Sequence, residues 1–152
     1  MGEPLDPSTR PSRLHPLAQA LVVLLLLISF ASGAMVWWGQ TIQLQQSEAP
    51  AWLHGCLVVH GCLNPFLCGL FGYLSYQHFR TGWQLRANLV MGFLLEGLFL
   101  GLILSGVGLY YAGGEDWRNR LILIHRTLGI LLPLGLVGHW VAASRWVKKV
   151  AK

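Results

Sequence analysis

Charged residues are scarce in this sequence. Only 11% of its 152 residues are charged and 54% are hydrophobic, whereas soluble domains typically carry about 25% charged residues. A transmembrane helix needs about 20 mostly apolar residues, and the chain contains four such stretches, at residues 17–38, 52–77, 87–111 and 121–146. The sequence therefore excludes an ordinary soluble domain and predicts an all-α integral membrane protein, a bundle of four transmembrane helices.

Cysteine is also rare, and its spacing argues against several kinds of site. Cys56, Cys62 and Cys68 all lie in the second apolar stretch, and no C-x-x-C-H sequence is present for covalent haem attachment. Each step of six residues turns a helix by about 600°, so successive thiols do not share a face. This argues against a disulfide, a zinc site and a transporter that would bind copper or zinc at these thiols.

Acidic residues number only six, against eleven Lys and Arg. Basic residues of short loops stay on the cytoplasmic side of a membrane, and eight of the eleven fall on one predicted side: Arg10, Arg13, Arg80, Arg86, Arg145, Lys148, Lys149 and Lys152. Both termini are therefore predicted to be cytoplasmic. The net charge of +5 reflects this asymmetry, which favours anionic lipids and requires no nucleic-acid partner.

The ends of the chain differ from its centre. Residues 1–13 are polar and proline-rich and predict a flexible tail, residues 14–147 form the predicted transmembrane domain, and residues 148–152 form a basic tail. Ser32 and Gly33 offer small residues for signal-peptide cleavage, but the first apolar stretch is longer than a signal h-region. We therefore predict a retained helix, followed by a glutamine-rich loop over residues 39–50 with room for a short amphipathic turn.

Histidine is the unusual residue of the apolar stretches. His125 and His139 are fourteen residues apart in the fourth stretch, which is about 1400° of helix rotation and about 21 Å of rise. Their rings therefore point to nearly one face, one in each half of the membrane. This placement suits two haems, one near each surface, with each iron taking a second imidazole from a neighbouring helix.

The second ligands follow from depth in the membrane. His60 is as far from Arg80 as His125 is from Arg145, twenty residues in each case, so His60 is predicted to be the outer partner. Two residues remain equal candidates for the inner partner of His139: His78, at the end of the second stretch, and His15, at the start of the first. His54 lies farther outward and is interpreted as an interface residue, with the role of outer ligand in place of His60 as the alternative.

Two further charged residues are candidates for function. Arg126 adjoins His125 and is predicted either to pair with haem propionates or to reach lipid headgroups. Glu96 is the carboxyl group at depth within a predicted span. We interpret it as a proton relay or quinol contact, or alternatively as a protonated acid that is hydrogen-bonded within the bundle.

These residues resemble a known family in order and spacing. The matching residues are Arg13-Leu14-His15, His60-Gly61, Leu109-Tyr110-Tyr111, His125 and His139. They resemble the di-haem cytochrome b membrane subunits associated with nickel-iron hydrogenases and formate dehydrogenases, and a shorter four-helix relative of them. The resemblance covers about residues 13–145, and its specific part is the histidine pair in the fourth stretch.

The resemblance implies two non-covalent b haems that pass electrons between a quinone pool and a redox partner. It implies His60 and His125 as the outer ligands, and His139 with His15 as the inner ligands. His78 remains the rival, because the shorter relatives also place a histidine at the end of the second helix. Pro16 departs from the family, in which an aromatic residue often follows the first histidine.

The functional expectation is an electron-transfer subunit of an oxidoreductase complex rather than a complete enzyme. Its expected partners are a catalytic or multihaem subunit on the outer side and quinone or quinol in the membrane. Its expected location is a bacterial or archaeal cytoplasmic membrane. The alternative is a haem-free membrane anchor or assembly subunit in which the histidines are packing residues.

Overall fold

The computed structural model describes residues 14–84 and 88–150, and within these ranges the chain forms helices and short connections without a strand. The predicted flexible tail (1–13) and the last two residues of the predicted basic tail lie outside the described residues. The helices are α1 (Pro16–Gln46), α2 (Leu53–Cys62), α3 (Asn64–Leu74), α4 (Arg80–Gln84), α5 (Leu89–Tyr111) and α6 (Glu115–Val150), with a π-helical segment (Ser75–Phe79) between α3 and α4.

Four helical stretches are long and apolar enough to cross a membrane: Pro16–Gln46, Leu53–Gln84, Leu89–Tyr111 and Glu115–Ser144. Most of their large apolar side chains are exposed, whereas Leu53, Leu70, Phe99 and Leu121 are the buried hydrophobic residues of the described part. Apolar side chains on the outside and few inside are what a lipid environment permits. The fold thus indicates a multi-pass membrane protein.

The first helix is longer than the sequence indicates. It continues through Gln46, so the prediction of a loop beginning at residue 39 is wrong. Glutamine is a good helix former, and Gly39 lies against Trp52 and Leu53, which gives this extension a packing partner. The helix ends where Ser47 takes a left-handed conformation, with φ of 59°.

The second span is a helix in several pieces. The helix is interrupted at Leu63, between α2 and α3, because Pro65 has no N–H to continue the helical hydrogen bonds. A π-helical segment then begins at Ser75 and contains His78. Such segments occur frequently at functional sites.

The bundle consists of two helical hairpins. The closest packing is between α1 and α2 and between α5 and α6, while α3 and α5 join the two hairpins. Within the second hairpin, Gly101 lies beneath the side chain of Leu128, whereas a side chain at Gly97 would meet open space. At its far end α6 continues through Val150, so the first residues of the predicted basic tail extend the helix.

Candidate functional site

Four histidine rings meet in two pairs across the gap between the hairpins. His60 on α2 and His125 on α6 have ring centroids 6.0 Å apart and planes at 86°. His78 in the π-helical segment and His139 on α6 have centroids 6.0 Å apart and planes at 70°. The first is called the outer pair and the second the inner pair. They are separated by fourteen residues of α6, about 21 Å of helix.

His60 is held from behind by α1. Its Nδ1 lies 3.0 Å from the backbone oxygen of Ser29 and 3.0 Å from Oγ of Ser32. The Ser32 hydroxyl itself lies 3.0 Å from the Ser29 oxygen. Gly33 completes this surface, because a Cβ atom there would come within 2.9 Å of Cε1 of the imidazole. The absence of a side chain at Gly33 therefore lets α1 lie directly against the ring.

His125 is held in the same way by α5. Its Nδ1 lies 2.9 Å from Oγ of Ser105, and the backbone of Leu102 also interacts with this imidazole. The Ser105 hydroxyl lies 2.7 Å from the Gly101 oxygen. A Cβ atom at Gly106 would come within 3.4 Å of the ring. Each outer imidazole is thus backed by a serine, the glycine after it and the backbone of the residue three before it.

Sequence reasoning missed this backing surface. In the sequence, Ser32 and Gly33 are notable only as small residues near a possible cleavage point. Nothing in the sequence distinguishes Ser105 and Gly106 on their own. The signal that could have revealed them is the Ser-Gly dipeptide in both the first and third spans. Its meaning depends on which histidine lies across the helix interface, and that is a tertiary contact.

The inner pair has different neighbours. The side-chain nitrogen of Asn88 lies 3.4 Å from Nδ1 of His139 and 3.3 Å from the His139 backbone oxygen. Asn88 precedes α5 in a left-handed conformation, and its side chain makes no hydrogen bond to cap that helix. It therefore reaches across to α6.

The structure places His78, and not His15, beside His139. His15 caps α1, and its Nδ1 accepts a hydrogen bond of 3.3 Å from the backbone N–H of Leu17. His54 is exposed near the start of α2. Although His78 is two residues from Arg80 and His139 is six residues from Arg145, their rings lie together, because basic side chains can reach the membrane surface from different depths. Their positions mark that surface only to within about a helical turn.

Arg126 connects the two hairpins at the outer end of the bundle. It donates a hydrogen bond of 2.6 Å to the side-chain oxygen of Gln40, and its guanidinium carbon lies 5.2 Å from the ring centroid of Trp37. The adjoining cleft of about 630 Å³ also contains Arg118 and Asn119. Arg126 thus contacts α1 as well as standing next to His125.

Glu96 contacts the segment that contains His78. The Ser75 hydroxyl donates a hydrogen bond of 3.2 Å to Oε1 of Glu96. Ser75 begins the π-helical segment, three residues before His78. The carboxyl group is therefore hydrogen-bonded within the bundle, close along the chain to the inner pair.

Both histidine pairs fit the spacing that two imidazoles need to share one metal ion. Imidazole nitrogens bind metals at about 2 Å, so two of them on opposite sides of one ion have ring centres roughly 6 Å apart. The observed separation is 6.0 Å in each pair. The ring nitrogen that does not bind the metal is usually hydrogen-bonded, and the contacts at Nδ1 of His60 and His125 meet that requirement.

Comparisons of the chain with protein-family models, with curated proteins and with solved structures find no match. The geometry of the histidine pairs is therefore the basis for the functional interpretation.

Proposed function

We propose that this chain is a membrane b-type cytochrome, with two bis-histidine sites for non-covalent haem b. The observation that carries the proposal is the repetition of one geometry. Two histidine pairs, each with ring centroids 6.0 Å apart, stand one above the other on the same face of α6. A packing role explains a single histidine contact, whereas two histidine pairs on one face of the same helix are what two metal sites would need.

The proposed ligands are His60 and His125 at the outer site and His78 and His139 at the inner site. His78 is preferred to His15 because its ring lies beside that of His139, whereas Nδ1 of His15 accepts the Leu17 N–H. Ionisable residues within membrane spans are costly and are associated with function. Four half-buried histidines in two pairs are consistent with that rule.

The chain's own contribution is ligation, orientation and exclusion of water. Haem, when bound, supplies reversible one-electron chemistry at its iron. Two imidazoles per iron leave no open coordination position, so the proposed function is electron transfer rather than oxygen activation. The proposed role of Arg126 is to provide positive charge beside the outer site, where propionates would be expected.

The proposed setting is a bacterial or archaeal cytoplasmic membrane with both termini on the cytoplasmic side. Electrons would pass between quinone or quinol in the membrane and a catalytic or multihaem redox subunit on the outer side. Glu96 and Ser75 form a polar pair at membrane depth, and we propose that a quinol exchanges protons there. The basic residues at the cytoplasmic surface would bind anionic lipids.

The experiment is a dithionite-reduced minus oxidised spectrum of the detergent-purified chain, with pyridine haemochrome giving haem per polypeptide. The expected result is two b haems per chain, and one each in His125→Ala and His139→Ala. His54→Ala is the matched control and should retain two, because His54 is exposed and belongs to neither pair. A folded chain without haem would overturn the proposal and favour the anchor or assembly role.

A further inference from the structure

Two buried serines stand behind the outer histidine pair. Ser105 is 4% exposed and Ser32 is 8% exposed, and they are the buried polar residues of the described part of the chain. Each contacts Nδ1 of a histidine, and each is followed by a glycine that contacts the same ring. We call Ser32 with Gly33, and Ser105 with Gly106, the serine–glycine cradles.

The direction of the hydrogen bonds in the cradle of His125 follows from the number of protons available. A serine hydroxyl has one proton, and that of Ser105 donates to the Gly101 carbonyl at 2.7 Å. With that proton donated to the Gly101 carbonyl, the Ser105 oxygen accepts from Nδ1 of His125, 2.9 Å away. The Leu102 backbone also interacts with this imidazole. The Ser105 contact requires a proton on Nδ1.

The cradle of His60 leads to the same assignment. The Ser32 hydroxyl donates to the Ser29 carbonyl at 3.0 Å, so its oxygen accepts from Nδ1 of His60. The Ser29 carbonyl lies 3.0 Å from the same Nδ1 and accepts as well. A neutral imidazole with its proton on Nδ1 has a lone pair on Nε2, which is the nitrogen left for a metal.

We infer that Ser32 and Ser105 are positioning residues that hold both outer imidazoles as the Nδ1–H tautomer, so that the outer site is already arranged to take a metal through Nε2. The identification of that metal as haem iron rests on the proposed function. The tautomer itself follows from the hydrogen bonds alone, and it is testable without haem.

The inner site lacks this preset arrangement at His139. An amide nitrogen only donates, so a hydrogen bond from Asn88 to Nδ1 of His139 places the imidazole proton on Nε2. Ligation through Nε2 then requires the proton to move to Nδ1 and the Asn88 amide to turn its oxygen toward it. The same amide nitrogen contacts the His139 carbonyl, so that turn breaks a second contact. From the arrangement at His139, we expect the outer site to hold haem more tightly.

The first test measures the tautomers in the haem-free full chain in detergent. Nitrogen NMR of histidine-labelled protein distinguishes protonated Nδ1 from protonated Nε2, and His60→Gln and His125→Gln assign the signals. We expect Nδ1–H for His60 and His125 and Nε2–H for His139. A protonated Nε2 at either outer histidine would overturn the inference whether or not the chain binds haem.

The second test measures haem release to an excess of a haem-scavenging protein, in a His139→Ala background that has only the outer site. Loss of a hydrogen-bond partner behind a ligating histidine typically weakens metal binding 10–100-fold. Because the backbone carbonyls remain, Ser32→Ala with Ser105→Ala is expected to speed release about tenfold, near the lower end of that range. Ser105→Thr keeps a hydroxyl and should restore parental release in a chain that has Ser32.

Ser144→Ala is the matched control, because the Ser144 hydroxyl also donates to a backbone carbonyl, that of Trp140, on a helix surface away from both cradles. It should release haem at the parental rate. Parental release from the double serine variant would contradict the positioning role. A comparison of His139→Ala with His125→Ala completes the test, since faster release from the outer site than from the inner site would also overturn the inference.

Discussion

The ring of His78 lies 6.0 Å from that of His139, the same separation as between His60 and His125. His78 reaches this position from the π-helical segment at the end of the second span. The segment is joined to α5 by an aromatic cluster in which Phe79 lies 5.1 Å from Phe93, centroid to centroid. The residue next to His78 is therefore packed against the second hairpin, and the inner pair is supported from both hairpins.

This arrangement predicts different consequences for the two inner candidates. His78→Ala should reduce the haem content from two to one per chain. His15→Ala should retain both haems and lose only the helix cap, which typically costs about 1 kcal/mol of stability. Pyridine haemochrome and thermal unfolding of the two purified variants measure these effects. One haem in His15→Ala and two in His78→Ala would assign the inner ligand to His15 instead.

The glycines of the two cradles predict a graded steric effect. Gly33→Ala would bring a Cβ atom within 2.9 Å of the His60 ring, whereas Gly106→Ala leaves 3.4 Å to the His125 ring. Gly33→Ala should therefore lower outer haem content more strongly than Gly106→Ala. Gly55→Ala is the control, because nothing lies within 4 Å of its added Cβ and alanine favours a helix by about 1 kcal/mol. Equal haem content in all three variants would contradict the close approach of α1 to His60.

Much of this architecture is predictable from the sequence because it depends on local composition and helical periodicity. The four spans follow from runs of apolar residues, and the common face of His125 and His139 follows from their spacing on one helix. The sequence does not distinguish His78 from His15 as the inner partner of His139. That choice depends on the course of the second span through the break at Leu63 and the π-helical segment. Counting residues from the flanking arginines does not give the depth of a side chain beyond such a break or π-helical segment.

The serine–glycine cradles could not be predicted from the sequence. Serine and glycine are common in membrane helices as small packing residues, so their types alone do not indicate a role. Only the packing of α1 on α2 and of α5 on α6 shows that Ser32 and Ser105 each contact a histidine. The extension of α1 to Gln46 was missed for a similar reason, since it depends on the contact of Gly39 with Trp52.

Arg126 is predicted to stabilise the outer end of the bundle. Arg126→Leu removes its hydrogen bond to Gln40 and its contact with Trp37. Hydrogen bonds to charged groups are worth about 1.5–3 kcal/mol, so a loss of about 2 kcal/mol in unfolding free energy is expected. Arg120→Leu, at an exposed position of the same helix, should stay within about 0.5 kcal/mol of the parent.

A double variant separates this contact from a role at the haem. Gln40→Leu combined with Arg126→Leu should cost less than the sum of the single changes, because residues in contact are coupled. The measurement is equilibrium unfolding in detergent, with and without haem. Additive costs in the haem-free chain would contradict the contact with Gln40. A loss confined to the haem-loaded chain would favour a propionate partner.

Glu96 gives the prediction that bears on proton exchange. Glu96→Gln keeps an oxygen that can accept from Ser75, so the variant should unfold like the parent. Glu96→Leu loses the bond, and hydrogen bonds between membrane helices are worth about 0.6 kcal/mol and at most about 1.7 kcal/mol. The unfolding free energy of the Glu96→Leu variant should therefore be lower than that of the Glu96→Gln variant by about 1 kcal/mol. Equal stability of the two variants would contradict the contact with Ser75.

The same Glu96→Gln variant tests the proposed exchange with quinol. Removing a group that takes up a proton in a reaction typically slows it by about 10²–10⁴-fold, so haem reduction by an added quinol should be slower by about 10² or more, with haem content unchanged. Glu48→Gln is the matched control, because Glu48 is exposed in the connection between α1 and α2 and should leave the rate at its parental value. Glutamine preserves the hydrogen bond but cannot accept the proton. A parental rate in Glu96→Gln would therefore contradict proton exchange at this carboxyl group and leave it a role in helix packing.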